Sequence, residues 1–350
     1  MRALPHSGQP EPGECAARAS PDTPKIAQVL VTVQWPARHI ESLRDALRPA
    51  SLIVCRPDQE AEIAAALAHC DVAILSGDFD DKFMSAPHLR WIHCDHAGLN
   101  QSARPWVFEK GLVVTGSAGR SSPVLAEHAI FFMLALAYQF PAFYQAQREH
   151  RWGIPGQDRL RGLFGRTVGI MGLGHIGMEL AARAKAFGMR VLAYRRGRAA
   201  KPPCIDALYS ADAGDGFESL LRESDFVVLA LPLNDETWHL IGAGEFSVMK
   251  PSAFLVNMAR GQLVDEEALI SALQSRAIAG AGLDCTAIEP LPVSSPLWDL
   301  PNVLITPHTT PQVADRDQRS LEIVLENLRR YRDGEALLNQ LTARDVFTKS

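Results

Sequence analysis

Three residues that could act together chemically occur in the second half of the chain, each at or just beyond the end of an apolar segment. They are Arg260 in "VNMARGQLVDEEAL", Glu289 in "AGAGLDCTAIEPLP" and His308 in "NVLITPHTTP". A guanidinium group matches a small planar carboxylate, and an imidazole exchanges protons near neutral pH. The carboxyl ends of strands are where open α/β sheets bind their ligands. Each residue alone is more often structural, so it is their occurrence together that predicts a catalytic site.

A glycine-rich loop predicts a dinucleotide site. The segment "TVGIMGLGHIGMELAARAKAFGMRVLAY" contains G-x-G-x-x-G at Gly172, Gly174 and Gly177. An apolar strand precedes this pattern, a helix begins within it and a second strand follows. In that context the glycines permit a tight turn, close approach of a pyrophosphate and close helix–strand packing, and the helix start offers free N–H groups. The alternatives are a turn without a ligand and a nucleoside site of the methyltransferase type.

Arginines stand where an NAD-binding fold ordinarily places an acidic residue. Arg195 lies 18 residues after Gly177 (195 − 177), at the end of the second strand, and Arg196 follows it. An Asp or Glu at about 20 residues accepts hydrogen bonds from the ribose 2′-OH, whereas a guanidinium attracts a 2′-phosphate. We therefore expect NADP(H) to be preferred, with NAD(H) possible and Arg195 and Arg196 as the clamp. Arg198 is a further candidate, and a solvated basic turn is the alternative.

Apolar segments alternate with helical segments along the chain and predict an α/β protein. One series of strands is "AQVLVTVQW", "SLIVC", "DVAILSG", "LRWIHC" and "GLVVTGS", and a second is "TVGIMG", "RVLAY", "DFVVLALP", "SAFLVNMA", "AGAGLD" and "NVLITPH". A long apolar helix, "SSPVLAEHAIFFMLALAYQF", separates the two series. Strands alternating with helices form parallel sheets, and a chain of 350 residues suits two domains.

Composition disfavours several classes of protein. The net charge of −5 disfavours nucleic acid as a partner, and the longest apolar run falls short of the ~20 residues that span a membrane. Six cysteines without a C-x-x-C pair indicate reduced thiols, so we expect no metal site and a cytoplasmic location. Residues 1–25 are rich in Pro, Gly and Ser, and we expect a disordered tail rather than a signal peptide.

Together with the glycine loop, the three motifs resemble the D-isomer-specific 2-hydroxyacid dehydrogenases. The segments "LRWIHCDHAGLN", "AEH", "LPLNDET" and "MKPSAFLVNMARG" also match, so that the resemblance covers nearly the whole chain from about residue 27. It implies two domains, each an open parallel sheet flanked by helices: a flavodoxin-like substrate domain and a Rossmann-type cofactor domain.

The resemblance also implies a role for each catalytic candidate. His308 matches the acid/base histidine, Glu289 the carboxylate that orients this imidazole, and Arg260 the arginine that binds the keto acid group. Ala97 and Gly98 match the loop whose backbone N–H groups hold the substrate carboxylate. His96 beside them could face the same pocket, although a single histidine is more simply explained as structural.

The cofactor contacts that the resemblance implies fall on three segments. Asp284 matches the residue that bonds the nicotinamide carboxamide. The glycine loop and the "LPLNDET" segment supply the remainder: Gly172, Gly174, His175, Ile176, Gly177, Leu231 and Pro232. One departure concerns this region, because Pro311 occupies a position where the family usually has glycine, and proline removes a backbone N–H.

The expected organisation is a discontinuous substrate domain, 26–122 and 316–350, around a dinucleotide-binding domain, 123–315. The expected reaction is NADPH-dependent reduction of a small 2-keto acid, such as glyoxylate or hydroxypyruvate, to the D-2-hydroxy acid by a homodimer. Two alternatives stay open. One is a regulatory protein that senses dinucleotide on the same fold, and the other is NAD-linked oxidation of a small anion such as formate or phosphite.

Overall fold

The computed structural model describes residues 25–309 and 313–349. The predicted N-terminal tail, apart from its last residue, and Pro311 lie outside the described residues. The strands are β1 Gln28–Val31, β2 Ser51–Val54, β3 Val72–Leu75, β4 Trp91–Cys94, β5 Val113–Gly116, β6 Thr167–Met171, β7 Arg190–Arg195, β8 Ala207–Ser210, β9 Phe226–Leu229, β10 Phe254–Asn257, β11 Gly280–Leu283 and β12 Val303–Ile305. The α-helices are α1 Ala37–Leu47, α2 Glu60–Leu67, α3 Pro105–Glu109, α4 Ser122–Ala137, α5 Phe140–Arg148, α6 His175–Ala186, α7 Glu218–Glu223, α8 Ala243–Val248, α9 Glu266–Gln274 and α10 Arg316–Asp333.

The strands form two parallel sheets, and the predicted fold class is confirmed. One sheet has five strands in the order β2-β1-β3-β4-β5, which is the flavodoxin-like order. The other has seven strands in the order β12-β11-β10-β9-β6-β7-β8. Counted from β6, its first six strands follow the Rossmann order 3-2-1-4-5-6. The carboxyl ends of β6 and β9 are therefore neighbours at the point where the strand order reverses.

Two elements differ from the sequence prediction. Strand β8 was not predicted, because its four residues, ALYS, are too few and too mixed in polarity to stand out as an apolar run. The long helix predicted over "SSPVLAEHAIFFMLALAYQF" ends at Ala137. Gln139 turns the chain with a φ of 51°, and a new helix starts at Phe140 followed by Pro141, which has no N–H to continue the α4 hydrogen bonds.

No single helix in the described ranges is both long and apolar enough to cross a membrane. The pair Ser122–Ala137 and Phe140–Arg148, bent by 64°, passes the same test on length and composition only.

Each sheet has its own apolar core. Phe132 and Met133 of α4 pack with Ile170 and Leu180 on one face of the seven-stranded sheet, and all four are fully buried. Helix α10 buries Leu321, Val324 and Leu328 against the five-stranded sheet and ends at Gly334, whose φ is 70°. The predicted boundaries at 122 and 316 stay a prediction. Phe347, which was assigned to the substrate domain, packs in the core of the seven-stranded sheet.

A buried chain of hydrogen bonds supports the loop that follows β4. His93 is fully buried, with Nδ1 2.9 Å from Thr115 Oγ1 and Nε2 3.0 Å from Ser117 Oγ. Ser117 donates in turn to Asp95, which also receives the Arg120 guanidinium at 2.7 Å. Thr115 Oγ1 accepts the indole N–H of Trp91 and can donate its own proton to His93 Nδ1. A neutral imidazole satisfies this network, and burial lowers the pKa of His93 to about 4.

This pKa predicts acid sensitivity of the fold. His93 has a pKa of about 6.5 in the unfolded chain and about 4 in the folded chain. Between these two pH values the unfolded chain binds a proton at His93 and the folded chain does not, so acid favours unfolding. The free energy of unfolding should therefore fall by about 3 kcal/mol across this window from His93 alone. Urea unfolding at several pH values should show a weaker decline between pH 6.5 and 4 for His93→Gln than for wild type. The exposed His69→Gln is the control, and equal declines in all three proteins would contradict the prediction.

Candidate active site

A cleft of about 310 Å³ lies where loops from the two sheets meet. Loops after β3 and β4 contribute Asp78, His96, Gly98, Asn100 and Gln101, while loops after β10, β11 and β12 contribute Arg260, Gly261, Gln262, Thr286, Ala287, Glu289 and His308. The three catalytic candidates and Gly98 of the carboxylate loop thus line one cleft. Every loop involved follows the carboxyl end of its strand, as expected for open α/β sheets.

Arg260 reaches from the seven-stranded sheet to the loop after β4. Its Nη2 donates to the carbonyl oxygens of Ala97 at 3.1 Å and Gly98 at 3.0 Å. Its Nε donates to Asn100 Oδ1 at 3.2 Å and its Nη1 to the Ala259 carbonyl at 2.7 Å. Because a carboxylate is a stronger acceptor for a guanidinium than these neutral carbonyls, the same donors can turn to an acidic ligand in the cleft.

His308 and Glu289 form a hydrogen-bonded pair at the mouth of the cleft. His308 Nδ1 lies 2.7 Å from Glu289 Oε2, and the other carboxylate oxygen accepts the Thr286 N–H at 3.0 Å. Since the carboxylate accepts, Nδ1 carries the proton and Nε2 is left for a ligand. The backbone of His308 has a φ of 47°, held by its N–H bond to the Asp284 carbonyl at 2.8 Å. Such strained residues cluster at active sites.

Asp284 lies behind this pair with its side chain almost fully buried. Its Oδ1 accepts the Thr306 hydroxyl at 2.6 Å and the Thr309 N–H at 3.3 Å. Thr306 Oγ1 lies 3.2 Å from His128 Nε2, and burial lowers the pKa of that histidine. Asp284 is therefore fixed in position next to the strand ends that carry His308 and Glu289.

The glycine loop turns tightly and packs closely against helix α6. Gly172 has a φ of 103°, and a Cβ there would come within 2.5 Å of the Ala230 carbonyl oxygen. A Cβ at Gly177 would lie 2.1 Å from the Gly172 carbonyl oxygen, so helix α6 packs directly on the turn. A Cβ at Gly174, by contrast, would meet nothing within 4 Å. The loop thus leaves open space at the start of α6, where the N–H groups of His175 and Ile176 stand.

Of the two arginines predicted to bind a 2′-phosphate, Arg195 and Arg196, only Arg195 has a guanidinium without a partner among the described residues. The guanidinium of Arg195 forms no hydrogen bond or ion pair within the part of the chain that the structure describes. Arg196 Nη1 is paired with Asp345 Oδ1 at 3.2 Å, and Arg198 Nε donates to the Asp212 carbonyl at 2.8 Å.

Leu231 and Pro232 follow β9, where Leu231 is half-buried and Pro232 exposed. They therefore lie at the same edge of the sheet as the glycine loop, because β9 pairs with β6.

Several cleft residues were not singled out from the sequence. Asn100 positions Arg260, and it could have been noticed because it stands in the quoted "LRWIHCDHAGLN" segment. Gln262 likewise stands in the quoted "VNMARGQLVDEEAL" segment, two residues after Arg260. Asp78 and Gln101 lie outside the quoted motifs, and only the folded arrangement of the strands brings them to the cleft. No group of three or more metal-ligating side chains occurs among the described residues.

A Rossmann-type sheet with an open glycine loop, next to a cleft that holds an arginine and a histidine–carboxylate pair, defines a nucleotide-dependent dehydrogenase. Residues 130–310 match the family model described as "D-isomer specific 2-hydroxyacid dehydrogenase, NAD binding domain". The chain belongs to the D-isomer-specific 2-hydroxyacid dehydrogenase family and is an NAD(P)-dependent D-2-hydroxyacid dehydrogenase.

Individual relatives agree with this assignment. The chain is 34% identical over 325 residues to a glyoxylate reductase of Korarchaeum cryptofilum, covering 89% of this chain and 96% of that protein. It is 38% identical over 271 residues to a glyoxylate reductase of Thermococcus gammatolerans, covering 75% of this chain and 80% of that protein. A D-isomer specific 2-hydroxyacid dehydrogenase from Xanthobacter autotrophicus Py2, solved with NADPH and MES, superposes with a TM-score of 0.75 at 29% identity, covering 92% and 99% of the two chains.

The contact between Arg260 and the carboxylate loop predicts a severe effect of Gly98→Ala. A Cβ at Gly98 would lie 1.7 Å from Arg260 Nη2, so the guanidinium would be pushed away from the loop where the substrate carboxylate is expected to bind. We expect kcat/KM for the keto acid to fall about 100-fold, as for the loss of a charged hydrogen bond of about 3 kcal/mol. Gly111→Ala is the matched control, because Gly111 has a similar φ of 70° with nothing within 4 Å of its Cβ position. Equal kcat/KM losses in the two variants would contradict this prediction.

Proposed function

We propose that this protein reduces a small 2-keto acid to the D-2-hydroxy acid with NADPH. The observation that carries the proposal is the presence of Arg260 and the His308–Glu289 pair in one cleft of about 310 Å³. An arginine binds the carboxylate of a 2-keto acid, and an imidazole provides a proton to its keto oxygen. When bound at the glycine loop, the nicotinamide cofactor supplies the hydride.

Protein side chains bind the substrate, donate the proton and contact the cofactor. The Arg260 guanidinium turns from the Ala97 and Gly98 carbonyls to the substrate carboxylate, and the N–H groups of the same loop complete the anion site. His308 donates the proton from Nε2 to the keto oxygen. Glu289, bonded to Nδ1 at 2.7 Å, holds the ring in that orientation and stabilises its charged form. Asp284 would bond the carboxamide of the nicotinamide.

The names of the relatives support a short substrate. The two archaeal proteins are glyoxylate reductases, and a third relative, 38% identical over 248 residues, is a glyoxylate/hydroxypyruvate reductase of Pectobacterium carotovorum. Glyoxylate and hydroxypyruvate are therefore the first substrates to assay.

Removal of the proton donor tests the reaction directly. His308→Ala should lower kcat for glyoxylate about 10²- to 10⁴-fold while leaving the affinity for NADPH unchanged, because the ring acts on the keto oxygen only. Glu289→Gln should lower kcat less, since the imidazole remains. Stopped-flow assays and fluorescence titration with NADPH measure the two quantities, with His69→Ala as the control.

Two results would contradict the proposed reaction. One is retained turnover in His308→Ala. The other is NAD-linked oxidation of formate or phosphite by a wild-type protein that reduces no keto acid.

Preference for NADPH is the second part of the proposal. Arg195 ends β7 beside the glycine loop and has no partner within the described residues, so its guanidinium is available to a 2′-phosphate. Arg196 contributes only if its ion pair with Asp345 opens. Arg195 is therefore the principal clamp. The matching family model is described as an NAD binding domain, whereas the Xanthobacter protein was solved with NADPH. Both cofactors must therefore be assayed.

Substitution of Arg195 tests the cofactor preference. Wild type should use NADPH with a kcat/KM at least about tenfold above that for NADH, and Arg195→Ser should lower this ratio about 10- to 100-fold by losing a charged hydrogen bond. Arg190→Ser, at the other end of the same strand, is the matched control because Arg190 pairs with Glu223. Equal use of both cofactors by wild type would contradict the preference.

The oligomeric state, location and domain limits remain part of the proposal. Several exposed aromatic side chains support a homodimer: Phe131, Phe140, Tyr144, Trp152 and Phe164. We retain the cytoplasmic location and the division into 26–122 with 316–350 and 123–315 as predictions.

A further inference from the structure

An acid–histidine pair lines the part of the cleft formed by the first sheet. Asp78 follows β3 and His96 follows β4, and these strands are neighbours in register, so the two loops meet at one edge of the sheet. Both side chains line the same cleft as Arg260 and His308. The reaction proposed above uses neither of them, although each is within reach of a molecule held there.

The carboxylate of Asp78 is held in a defined position. One oxygen, Oδ1, accepts a short hydrogen bond from the hydroxyl of Ser102, a residue that is fully buried. The other oxygen, Oδ2, lies 3.7 Å from Nε2 of His96, which is beyond hydrogen-bond distance. Oδ2 of this carboxylate can therefore accept a hydrogen bond from a ligand.

His96 has a matching unsatisfied atom. Its Nδ1 lies 3.1 Å from the Ala97 carbonyl oxygen, and because a carbonyl only accepts, Nδ1 carries the proton of this bond. Its Nε2 is buried and finds no hydrogen-bond partner among the described residues. A buried polar atom left in this way costs about 1–3 kcal/mol, so a ligand group that satisfies it gains binding energy.

The chemistry of this wall limits what the ligand can carry. Of the described residues that line the cleft, only Ala287 presents an apolar side chain, so an alkyl or aromatic substituent finds little surface to pack on. The Asp78 carboxylate repels a second carboxylate on the ligand. A hydroxyl group, in contrast, donates its one proton to the carboxylate, and its oxygen accepts from Nε2 when the imidazole carries a proton on both nitrogens.

We propose that Asp78 and His96 form the subsite for the C3 substituent of the substrate and select a short 2-keto acid with a hydroxyl group at C3. This inference rests on the function proposed above, in which Arg260 binds the carboxylate and His308 faces the keto oxygen. The remaining carbon then extends toward the first sheet, where its hydroxyl donates to Asp78 Oδ2 beside His96 Nε2. Hydroxypyruvate carries this group, pyruvate replaces it with hydrogen, and glyoxylate lacks the carbon.

The experiment compares the three substrates in three proteins. Steady-state kcat/KM with NADPH is measured for glyoxylate, pyruvate and hydroxypyruvate in wild type, Asp78→Asn and Asp81→Asn. Asp81 is an exposed acid on the same loop that does not line the cleft, so it is the matched control. Ratios between substrates are compared because they do not depend on the fraction of folded enzyme.

In wild type, kcat/KM for hydroxypyruvate should exceed that for pyruvate at least about tenfold, the usual effect of one hydrogen bond to a charged group. Asp78→Asn presents an amide N–H₂ or a weaker acceptor, so the ratio of kcat/KM for hydroxypyruvate to kcat/KM for glyoxylate should fall about tenfold or more. Asp81→Asn should keep the wild-type ratio.

Two results would overturn the subsite while the proposed reaction stands. One is an unchanged ratio in Asp78→Asn, and the other is equal kcat/KM for pyruvate and hydroxypyruvate in wild type. No turnover of any of the three by wild type would instead overturn the proposed function, and the subsite with it.

Discussion

The guanidinium of Arg260, bonded to the carbonyl groups of Ala97 and Gly98, joins the two sheets at the active site. This contact explains several separate features. The guanidinium occupies the space that a Cβ at Gly98 would fill, and the amide oxygen of the buried Asn100 accepts from its Nε. The guanidinium also presents a planar cation to an acidic substrate in the cleft. The contact also positions the loop of the first sheet relative to the histidine that stands on the second.

Away from this contact, a second connection between the sheets lies near the nucleotide site. The segment 342–348 leaves the five-stranded sheet and crosses to the loops that follow β7 and β9. There Asp345 pairs with Arg196, and Phe347 packs against Trp238 with ring centres 5.7 Å apart. Because the backbone N–H of Phe347 also bonds the Ala103 carbonyl, one short segment holds groups from both sheets. Any movement of one sheet relative to the other must therefore be accommodated next to the end of β7.

The fold could be predicted from the sequence because buried parallel strands read as apolar runs that end in polar residues. The same rule predicted that polar residues after β10, β11 and β12 lie at one edge of the sheet, and the resemblance to the family singled out Arg260, Glu289 and His308 among them. The order of the strands brings these three residues to one cleft. The rule failed for β8, whose four residues are too mixed in polarity to stand out as an apolar run, and for the break near Gln139, which depends on a left-handed turn ahead of Pro141. Asp78 could not be found because its loop has no pattern, and its importance comes from a buried nitrogen of His96 that only coordinates reveal. The ion pair of Arg196 with Asp345 was equally hidden, because 149 residues separate its partners.

The central claim is that Arg260 and His308 act on the same small acid. It is tested most directly by a crystal structure of the protein with NADPH and oxamate, a 2-keto acid analogue that is not reduced. The account predicts an oxamate carboxylate within about 3.2 Å of the Arg260 guanidinium, with the neighbouring carbonyl oxygen at a similar distance from His308 Nε2. An oxamate bound elsewhere, with Arg260 still bonded to the carbonyls of Ala97 and Gly98, would contradict the claim.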